Sequence, residues 1–241
     1  MDKDRGVSVT QPPTAVLLPG TGSDEVFARA VFEAPLAAVG IPLLTPSPVP
    51  GPGLIAAHLA ALDAAARAAP VLVGGVSLGA HLGAAWAVRN PGRCAGLLLA
   101  LPGWCGEPGD APAALAARFS AADVRARGTA AALASAVADV PAWLAAELTR
   151  AWTGYGEGLA DSLEVAAEYP APTLDDLAVL DVPAGVAGCP DDPVHPLQVA
   201  RQWAGALPAG RLCTTRLEIV GVDPAALGRA AVLGWLRARD S

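Results

Sequence analysis

Ser77 stands among the residue types that a serine nucleophile requires. Residues 75–79 read GVSLG, a G-x-S-x-G sequence that follows an apolar run and precedes a helical pattern. At such a strand-to-helix turn the serine is lifted above the edge of a sheet, and glycine neighbours avoid collision. The pattern alone is weakly specific in a chain with 26 glycines, and an ordinary glycine-rich turn is the alternative. Its position between a strand and a helix favours the nucleophile.

A serine hydroxyl needs a neighbouring base to accept its proton near neutral pH. The chain has three histidines, and each can be weighed. His58 lies in an Ala- and Leu-rich helical pattern and is expected to be a packed helix residue. His81 lies one helical turn after Ser77, where it is expected to brace the turn from beneath rather than meet the hydroxyl. His195 is the provisional base.

The elements that must position these residues alternate between short apolar runs and helical patterns, which is typical of a mostly parallel sheet with helices on both faces. Strands are predicted at Thr14 to Leu18, Ile41 to Leu44, Val71 to Val73, Ala95 to Leu101, Pro183 to Ala187 and Thr215 to Val220. Helices are predicted at about Asp24 to Val39, Leu54 to Ala69, Leu78 to Arg89, Pro196 to Ala206 and Pro224 to Arg239. The sequence therefore predicts one α/β domain over residues 1–241.

The strand pattern is interrupted once, between about residues 107 and 180. This stretch is Ala-rich and helical, and glycines and prolines break it into pieces. It is far longer than the dozen or so residues that a crossover between parallel strands needs. We interpret it as a helical cap inserted over the sheet edge, with a plain helical spacer as the alternative.

A second glycine-containing loop follows the first predicted strand. Residues 19–23 read PGTGS, and their glycines complete neither of the common phosphate-binding motifs. With this loop, GVSLG, a cap and later loops in the same order, the chain resembles the α/β-hydrolase superfamily over nearly its whole length. The resemblance implies an α/β-hydrolase fold and an oxyanion hole formed by the backbone N–H groups of Leu78 and of Thr21 or Gly22.

The same resemblance implies an acid loop after the insertion. Residues 182–196 read VPAGVAGCPDDPVHP, and Asp192 has the spacing to the flanking prolines that the family pattern has. Asp191 is the alternative, because a glycine stands three residues before it. Both aspartates could instead cap the helix that is predicted to begin near Pro196.

The chain departs from the family after the last predicted strand, where a histidine base is usual. No histidine follows His195, and Asp223 holds the position where the imidazole is expected. Strands two apart in a sheet are separated by about 10 Å, and an imidazole on the acid loop can span much of that distance. Asp223 could instead form a carboxylate pair with Asp192 that transfers protons, or could cap the final helix.

Aromatic residues are candidates for the pocket wall. Trp104 follows the strand after the Ser77 helix and is expected near the pocket mouth as a substrate contact, or alternatively in the core. Trp143, Trp152 and Tyr155 of the insertion could add apolar walls or pack the cap helices.

Composition limits the other classes of function. Hydrophobic residues make up 53% of the chain and charged residues 16%, as in a compact globule. The net charge of -7 argues against nucleic acid, and the amino terminus predicts neither a secretory signal nor a membrane anchor, hence a cytoplasmic protein. The four cysteines form no C-x-x-C pair, so neither zinc nor a disulfide is predicted.

Two functions are compatible with these residues. The first is a serine hydrolase of small, partly hydrophobic esters or thioesters, which uses an acyl-enzyme and no metal or organic cofactor. The alternative is a degenerate hydrolase that binds a small ligand or catalyses isomerisation, cyclisation or elimination. In both cases the expected partner is a small molecule rather than nucleic acid or a membrane, while a homo-oligomer and partner binding through the apolar cap stay open.

Overall fold

A six-stranded parallel sheet forms the centre of the protein, in a computed structural model that describes residues 12–240. The strands are β1 (Ala15–Leu18), β2 (Leu43–Leu44), β3 (Val71–Val76), β4 (Cys94–Ala100), β5 (Ala184–Gly188) and β6 (Gly210–Thr214). Their order is β2-β1-β3-β4-β5-β6, and every neighbouring pair is parallel. The loops that follow β1, β3 and β5 therefore meet at one edge of the sheet.

Helices cover both faces of this sheet. They are α1 (Glu25–Ala37), α2 (Leu54–Ala65), α3 (Leu78–Arg89), α4 (Pro112–Arg127), α5 (Thr129–Ala136), α6 (Ala142–Tyr155), α7 (Leu159–Ala167), α8 (Leu174–Ala178), α9 (Leu197–Ala206), α10 (Leu217–Val222) and α11 (Ala225–Arg239). A short 3₁₀ turn, Gly156–Gly158, joins α6 to α7. Side chains of β4 alternate between the two faces, so Leu97 and Leu99 pack with α3 and α9 while Leu98 packs with α1 and α11.

The predicted mostly parallel α/β sheet is confirmed, and continuous apolar runs explain why. Strands β1, β3 and β4 are covered on both faces, and such strands lack the polar alternation of a half-exposed sheet. None of the helices within residues 12–240 is long and apolar enough to cross a membrane.

The prediction of a last strand at Thr215 to Val220 is wrong. The last strand, β6, ends at Thr214, and residues 217–222 form α10. Leu217 and Val220 pack into the same buried cluster three residues apart, whereas Ile219 is 46% exposed, which is a helical rather than an alternating pattern. A short apolar run does not distinguish a strand from a helix by periodicity alone.

Helices α4 to α8 lie between β4 and β5, and we call them the insertion helices. Within residues 101–183 the structure contains no strand. The insertion helices share one continuous buried cluster with a face of the sheet, which includes Trp152 and Leu163 from the insertion and Leu97 and Leu99 from β4. The Oγ of Ser162 on α7 also accepts a hydrogen bond of 2.7 Å from the N–H of Gly51. The insertion helices therefore pack onto the core on the face of the sheet that also carries α3.

Candidate active site

Ser77 occupies a strained turn between β3 and α3. Its φ is 53° and its ψ is -111°, a conformation that residues with a Cβ rarely adopt. Glycine on either side permits the close packing that holds this turn, because a Cβ on Gly75 would lie 2.0 Å from the carbonyl oxygen of Leu18 and one on Gly79 would lie 2.2 Å from it. Ser77 is 8% exposed, at the carboxyl edge of the sheet.

A chain of two hydrogen bonds joins Ser77, His195 and Asp192. Nε2 of His195 lies 2.9 Å from Oγ of Ser77, and Nδ1 of His195 lies 2.9 Å from Oδ2 of Asp192. A carboxylate accepts at Nδ1, so the proton of the neutral ring is assigned to that nitrogen and Nε2 is left to accept from the serine hydroxyl. The structure thus brings together the three residues that the sequence predicts as nucleophile, base and acid, with the contacts that this arrangement requires.

Asp192 and His195 lie on one loop, residues 189–196, after β5. Oδ1 of Asp192 accepts the backbone N–H of Val194 at 2.8 Å and that of His195 at 3.0 Å, while Oδ2 faces the imidazole. Burial by itself would raise the pKa of Asp192. The imidazole hydrogen bond and charge, together with the two backbone N–H groups, outweigh burial, so the pKa of this carboxyl lies below its usual value. Asp192 is therefore a carboxylate at neutral pH.

Asp191 has a different task. Its carboxylate accepts the N–H of Leu217 at 2.8 Å and faces Arg216, at the start of α10. Backbone hydrogen bonding of this kind satisfies the free N–H groups at a helix start, and it lowers the pKa of Asp191. Of the two aspartates that the sequence leaves open, Asp192 lies behind the imidazole and Asp191 anchors α10.

His81 makes its hydrogen bond to the loop after β4 rather than to Ser77. It is fully buried, and its Nε2 accepts the N–H of Gly103 at 3.0 Å. Its ring meets that of Trp104 edge-on, with centroids 4.4 Å apart. Burial, with a smaller contribution from the charge of His195, lowers the pKa of His81 to about 3. This residue is a neutral brace beneath the loop after β4.

The third histidine is also structural. His58 is buried on α2, and burial lowers its pKa to about 4. Its Nδ1 has no hydrogen-bond partner within residues 12–240.

Asp223 lies at the end of α10, on the surface. Its carboxylate accepts hydrogen bonds from Arg229 at 2.6 Å and from the N–H of Ala225 at 3.1 Å, so it caps the start of the last helix. In the part of the chain that the structure describes, neither partner belongs to the loop of Asp192. Asp223 lies after β6, which ends at Thr214, and between α10 and α11.

The predicted oxyanion loop forms a tight turn beside Ser77. The N–H of Ser23 donates to the carbonyl of Gly20 at 3.1 Å, which leaves Thr21 and Gly22 at the corner of the turn, and Gly22 has a φ of 65°. A Cβ on Gly20 would lie 3.5 Å from Cβ of Ser77. On the other side of Ser77, Leu78 is the first residue of α3, whose first N–H groups have no partner inside the helix. Backbone donors from two loops thus border the serine.

Trp104 packs in the core. Its Nε1 donates to the carbonyl of Tyr169 at 3.3 Å, and its own carbonyl accepts from Nε1 of Trp203 at 3.1 Å. The side chain is buried against His81, so the structure favours the core alternative for this residue over a place at the pocket mouth.

Sequence reasoning missed the contacts between α6 and the turn at residues 20–23. Tyr155 donates from its hydroxyl to the carbonyl of Ser23 at 3.0 Å, and Trp152 lies against Gly22. The spacing of Trp152 and Tyr155 puts both on one helix face, which was the available signal, but nothing in the sequence indicates which element that face meets.

No group of three His, Cys, Asp or Glu side chains within residues 12–240 is arranged to hold a metal ion. The four cysteines are free thiols. Burial, with the charges of Asp192 and Asp191, raises the pKa of Cys189 to about 12. The thiol of Cys189, the first residue of the loop 189–196, therefore stays protonated.

Comparison with known proteins gives a fold. No protein-family model and no curated protein sequence matches the chain. Among solved structures, a thermophilic esterase from Thermogutta terrifontis is 19% identical, with a TM-score of 0.70 over 94% of this chain and 91% of that one. The enol-lactonase from Burkholderia xenovorans is 19% identical, with a TM-score of 0.67 over 94% and 92%. MenH from S. aureus is 14% identical, with a TM-score of 0.69 over 97% of both chains. The chain therefore has the α/β-hydrolase fold.

Proposed function

We propose that this protein is a serine-dependent hydrolase of small, partly hydrophobic esters or thioesters, and that it acts through an acyl-enzyme. The observation that carries the proposal is the unbroken hydrogen-bond chain from Asp192 through His195 to Oγ of Ser77, with both distances 2.9 Å. A serine hydroxyl becomes an effective nucleophile when a correctly oriented base accepts its proton. This chain of contacts supplies both the base and its orientation.

Acylation begins at Ser77. As its Oγ bonds to the carbonyl carbon, its proton moves to Nε2 of His195 and the carbonyl electron pair moves onto the oxygen. The N–H of Leu78 and that of Thr21 or Gly22 stabilise this oxyanion, each donor contributing about 3 kcal/mol. When the oxyanion collapses, the bond to the leaving oxygen or sulfur breaks and the imidazolium gives its proton to the leaving group. Asp192 stabilises the positive ring throughout.

Deacylation repeats these steps with water. Nε2 of His195 takes a proton from the water while its oxygen attacks the acyl carbon, and the second oxyanion occupies the same backbone donors. Collapse releases the carboxylic acid and returns the proton to Oγ of Ser77. Every proton transfer therefore uses one nitrogen of one imidazole.

The substrate class follows from the surroundings of Ser77. Ser77 is 8% exposed, and the side chains of His195 and Asp192 are 17% and 5% exposed, which favours a small substrate. The buried cluster that extends from α3 into the insertion helices is apolar, which favours an uncharged acyl group. Two of the solved structures with this fold are named as an esterase and an enol-lactonase, which supports ester cleavage here.

The alternative of a degenerate hydrolase depended on the absence of a base after the last strand. The contact between His195 and Ser77 supports a base on another loop. The carboxylate pair that would favour isomerisation or elimination has no support, since the described partners of Asp223 are Arg229 and Ala225.

A fluorophosphonate probe tests the proposal. We expect stoichiometric labelling of the wild-type protein at Ser77, no labelling of Ser77→Ala and strongly slowed labelling of His195→Ala. A panel of p-nitrophenyl esters from acetate to decanoate should be hydrolysed fastest at short chain lengths. A wild-type protein that is neither labelled nor active on any of these esters would exclude the hydrolase.

A further inference from the structure

Helix α6 of the insertion meets the loop beside Ser77 through consecutive residues of that loop. Arg150 donates to the carboxylate of Asp24 at 2.7 Å, and the hydroxyl of Tyr155 donates to the carbonyl of Ser23 at 3.0 Å. Each of these polar groups has its partner inside the protein. Both contacts hold α6 against the turn, and both are satisfied without any ligand.

The contact of Trp152 with Gly22 is of a different kind. A Cβ on Gly22 would lie 3.1 Å from Nε1 of Trp152 and 3.2 Å from Cδ2 of Leu163, so the indole N–H lies directly against the turn. Trp152 is 4% exposed, and its Nε1 has no hydrogen-bond acceptor within residues 12–240. A buried donor without an acceptor costs folding free energy, and buried indole N–H groups usually find partners.

The position of this donor indicates what its partner is. Gly22 is one of the two corner residues that we propose as oxyanion donors, and Gly20 of the same turn lies against Cβ of Ser77. The φ of 65° at Gly22 and the absence of a Cβ there let the indole approach the backbone. The unpartnered N–H therefore lies against the same turn whose Gly20 packs beside Ser77.

We infer that Trp152 is a substrate-binding residue whose indole N–H donates a hydrogen bond to an acceptor oxygen of the acyl group bound at Ser77. This inference rests on the proposed function. The oxygen is either the reacting carbonyl oxygen or a second oxygen in the acyl chain, and the two sources predict different substrate preferences. The first makes Trp152 a third donor to the oxyanion, and the second makes it a selector of oxygen-containing acyl groups.

The chain offers a matched control in Trp235. Nε1 of Trp235 is also buried without a partner, and it also lies against a glycine, since a Cβ on Gly96 would be 2.5 Å from it. Trp235 packs in the cluster formed by α1 and α11 on the other face of the sheet. Trp152→Phe and Trp235→Phe therefore each remove one buried indole N–H that has no partner within the described residues. Only Trp152 lies against the turn beside Ser77.

The test compares two p-nitrophenyl esters of equal length, butyrate and methoxyacetate, which differ by one CH₂ replaced with oxygen. We expect Trp152→Phe to lower kcat/KM by about 10²- to 10³-fold if the partner is the oxyanion, as loss of one oxyanion donor does, and by roughly tenfold if it is a second, neutral oxygen. A loss on both esters identifies the carbonyl oxygen, and a loss on methoxyacetate alone identifies the second oxygen. Trp235→Phe should stay within about twofold of wild type on both. Equal activity of Trp152→Phe and Trp235→Phe would overturn the inference.

A binding measurement separates this inference from the proposed function. In ¹⁵N-labelled Ser77→Ala protein, the indole signal of Trp152, assigned by its loss in Trp152→Phe, should move downfield when the methoxyacetate ester is added, while that of Trp235 stays fixed. The butyrate ester should move the Trp152 signal as well only if the partner is the carbonyl oxygen. An unmoved Trp152 signal would overturn the inference even if the wild-type protein is labelled by a fluorophosphonate. Absence of labelling together with a shifted signal would overturn hydrolysis but leave the binding role.

Discussion

Two imidazoles approach the Ser77 turn from different parts of the chain. His81 comes from α3, four residues after the serine, and its Nε2 accepts the N–H of Gly103. His195 comes from the loop after β5, 118 residues along the chain, and its Nε2 lies 2.9 Å from Oγ of Ser77. The difference shows that closeness in sequence does not make a base. The hydroxyl of Ser77 meets the imidazole on the loop after β5.

The two imidazoles also differ in the partners of Nδ1, as they do in the partners of Nε2. Asp192 receives Nδ1 of His195, whereas Nδ1 of His81 has no partner in the described part of the chain. A carboxylate fixes the tautomer that leaves Nε2 as an acceptor, and it stabilises the ring once a proton has arrived. His81, with its pKa lowered to about 3, stays neutral and accepts a backbone hydrogen bond from Gly103.

Replacing the imidazole at position 195 should have the largest effect. We expect His195→Ala to lower kcat/KM for p-nitrophenyl butyrate by a factor on the order of 10⁴ to 10⁶, because the serine loses its base. The folded state should persist, with a near-wild-type circular dichroism spectrum, since the side-chain hydrogen bonds of His195 are to Asp192 and Ser77 and not to the backbone of a strand or helix. A loss smaller than about tenfold would erase the distinction between the two histidines.

The carboxylate behind His195 should have the next largest effect. We expect Asp192→Asn to lower kcat/KM by about 10³- to 10⁴-fold, because an amide neither stabilises the imidazolium nor enforces the tautomer. Asp191→Asn is the matched control: it should stay within about tenfold, since its contacts are with the start of α10. If the two variants lost activity equally, Asp191 would share the role assigned to its neighbour.

The brace at position 81 should show its effect in stability and its pH dependence. The pKa of about 3 in the folded protein lies below the ordinary histidine value of 6.5, so between these values the unfolded chain binds a proton that the folded chain does not. The stability that the neutral ring provides is fully present above pH 6.5. The free energy of unfolding then falls by about 1.4 kcal/mol per pH unit as the pH drops from 6.5 toward 3. His81→Leu should flatten this slope in urea unfolding between pH 7.5 and 5.

His81→Leu should also lower the free energy of unfolding at pH 7.5 by about 1 to 3 kcal/mol, because the buried N–H of Gly103 loses its acceptor. His58→Leu is a useful control, since its pKa is lowered by burial in the same direction. It should flatten the slope while leaving Gly103 undisturbed. A His81→Leu slope equal to that of wild type would mean that the ring is not buried and neutral as described.

Asp223 should have the smallest effect. Asp223→Asn removes a half-exposed ion pair with Arg229 and leaves a side chain that can still cap the last helix. We expect kcat/KM within about twofold of wild type, measured on the same ester. A large loss of kcat/KM in Asp223→Asn would show that the segment after β6 contributes to the site. It would also weaken the contrast between the two histidines.

The sequence predicts those parts of the molecule whose geometry is local. GVSLG fixes its own turn because glycines flank Ser77, and the Asp192-to-His195 spacing brings the carboxylate to the imidazole through three residues of one loop. The prediction of a strand at residues 215–220 is wrong because a short apolar run does not distinguish a strand from a helix, and the carboxylate of Asp191 that accepts the N–H of Leu217 lies 26 residues away. The contact of Trp152 with Gly22 was equally inaccessible, since packing between distant elements sets it.

The position of Asp192 and His195 on one short loop affects how the chain tolerates changes in sequence. Their mutual geometry is set by hydrogen bonds within residues 192–195. Changes in residues 207–223 that keep the contact of Leu217 with Asp191 should therefore leave the contact between Asp192 and His195 intact. When both residues lie on one loop, only that loop has to be positioned relative to Ser77. When they lie on separate loops, each loop has to be positioned separately.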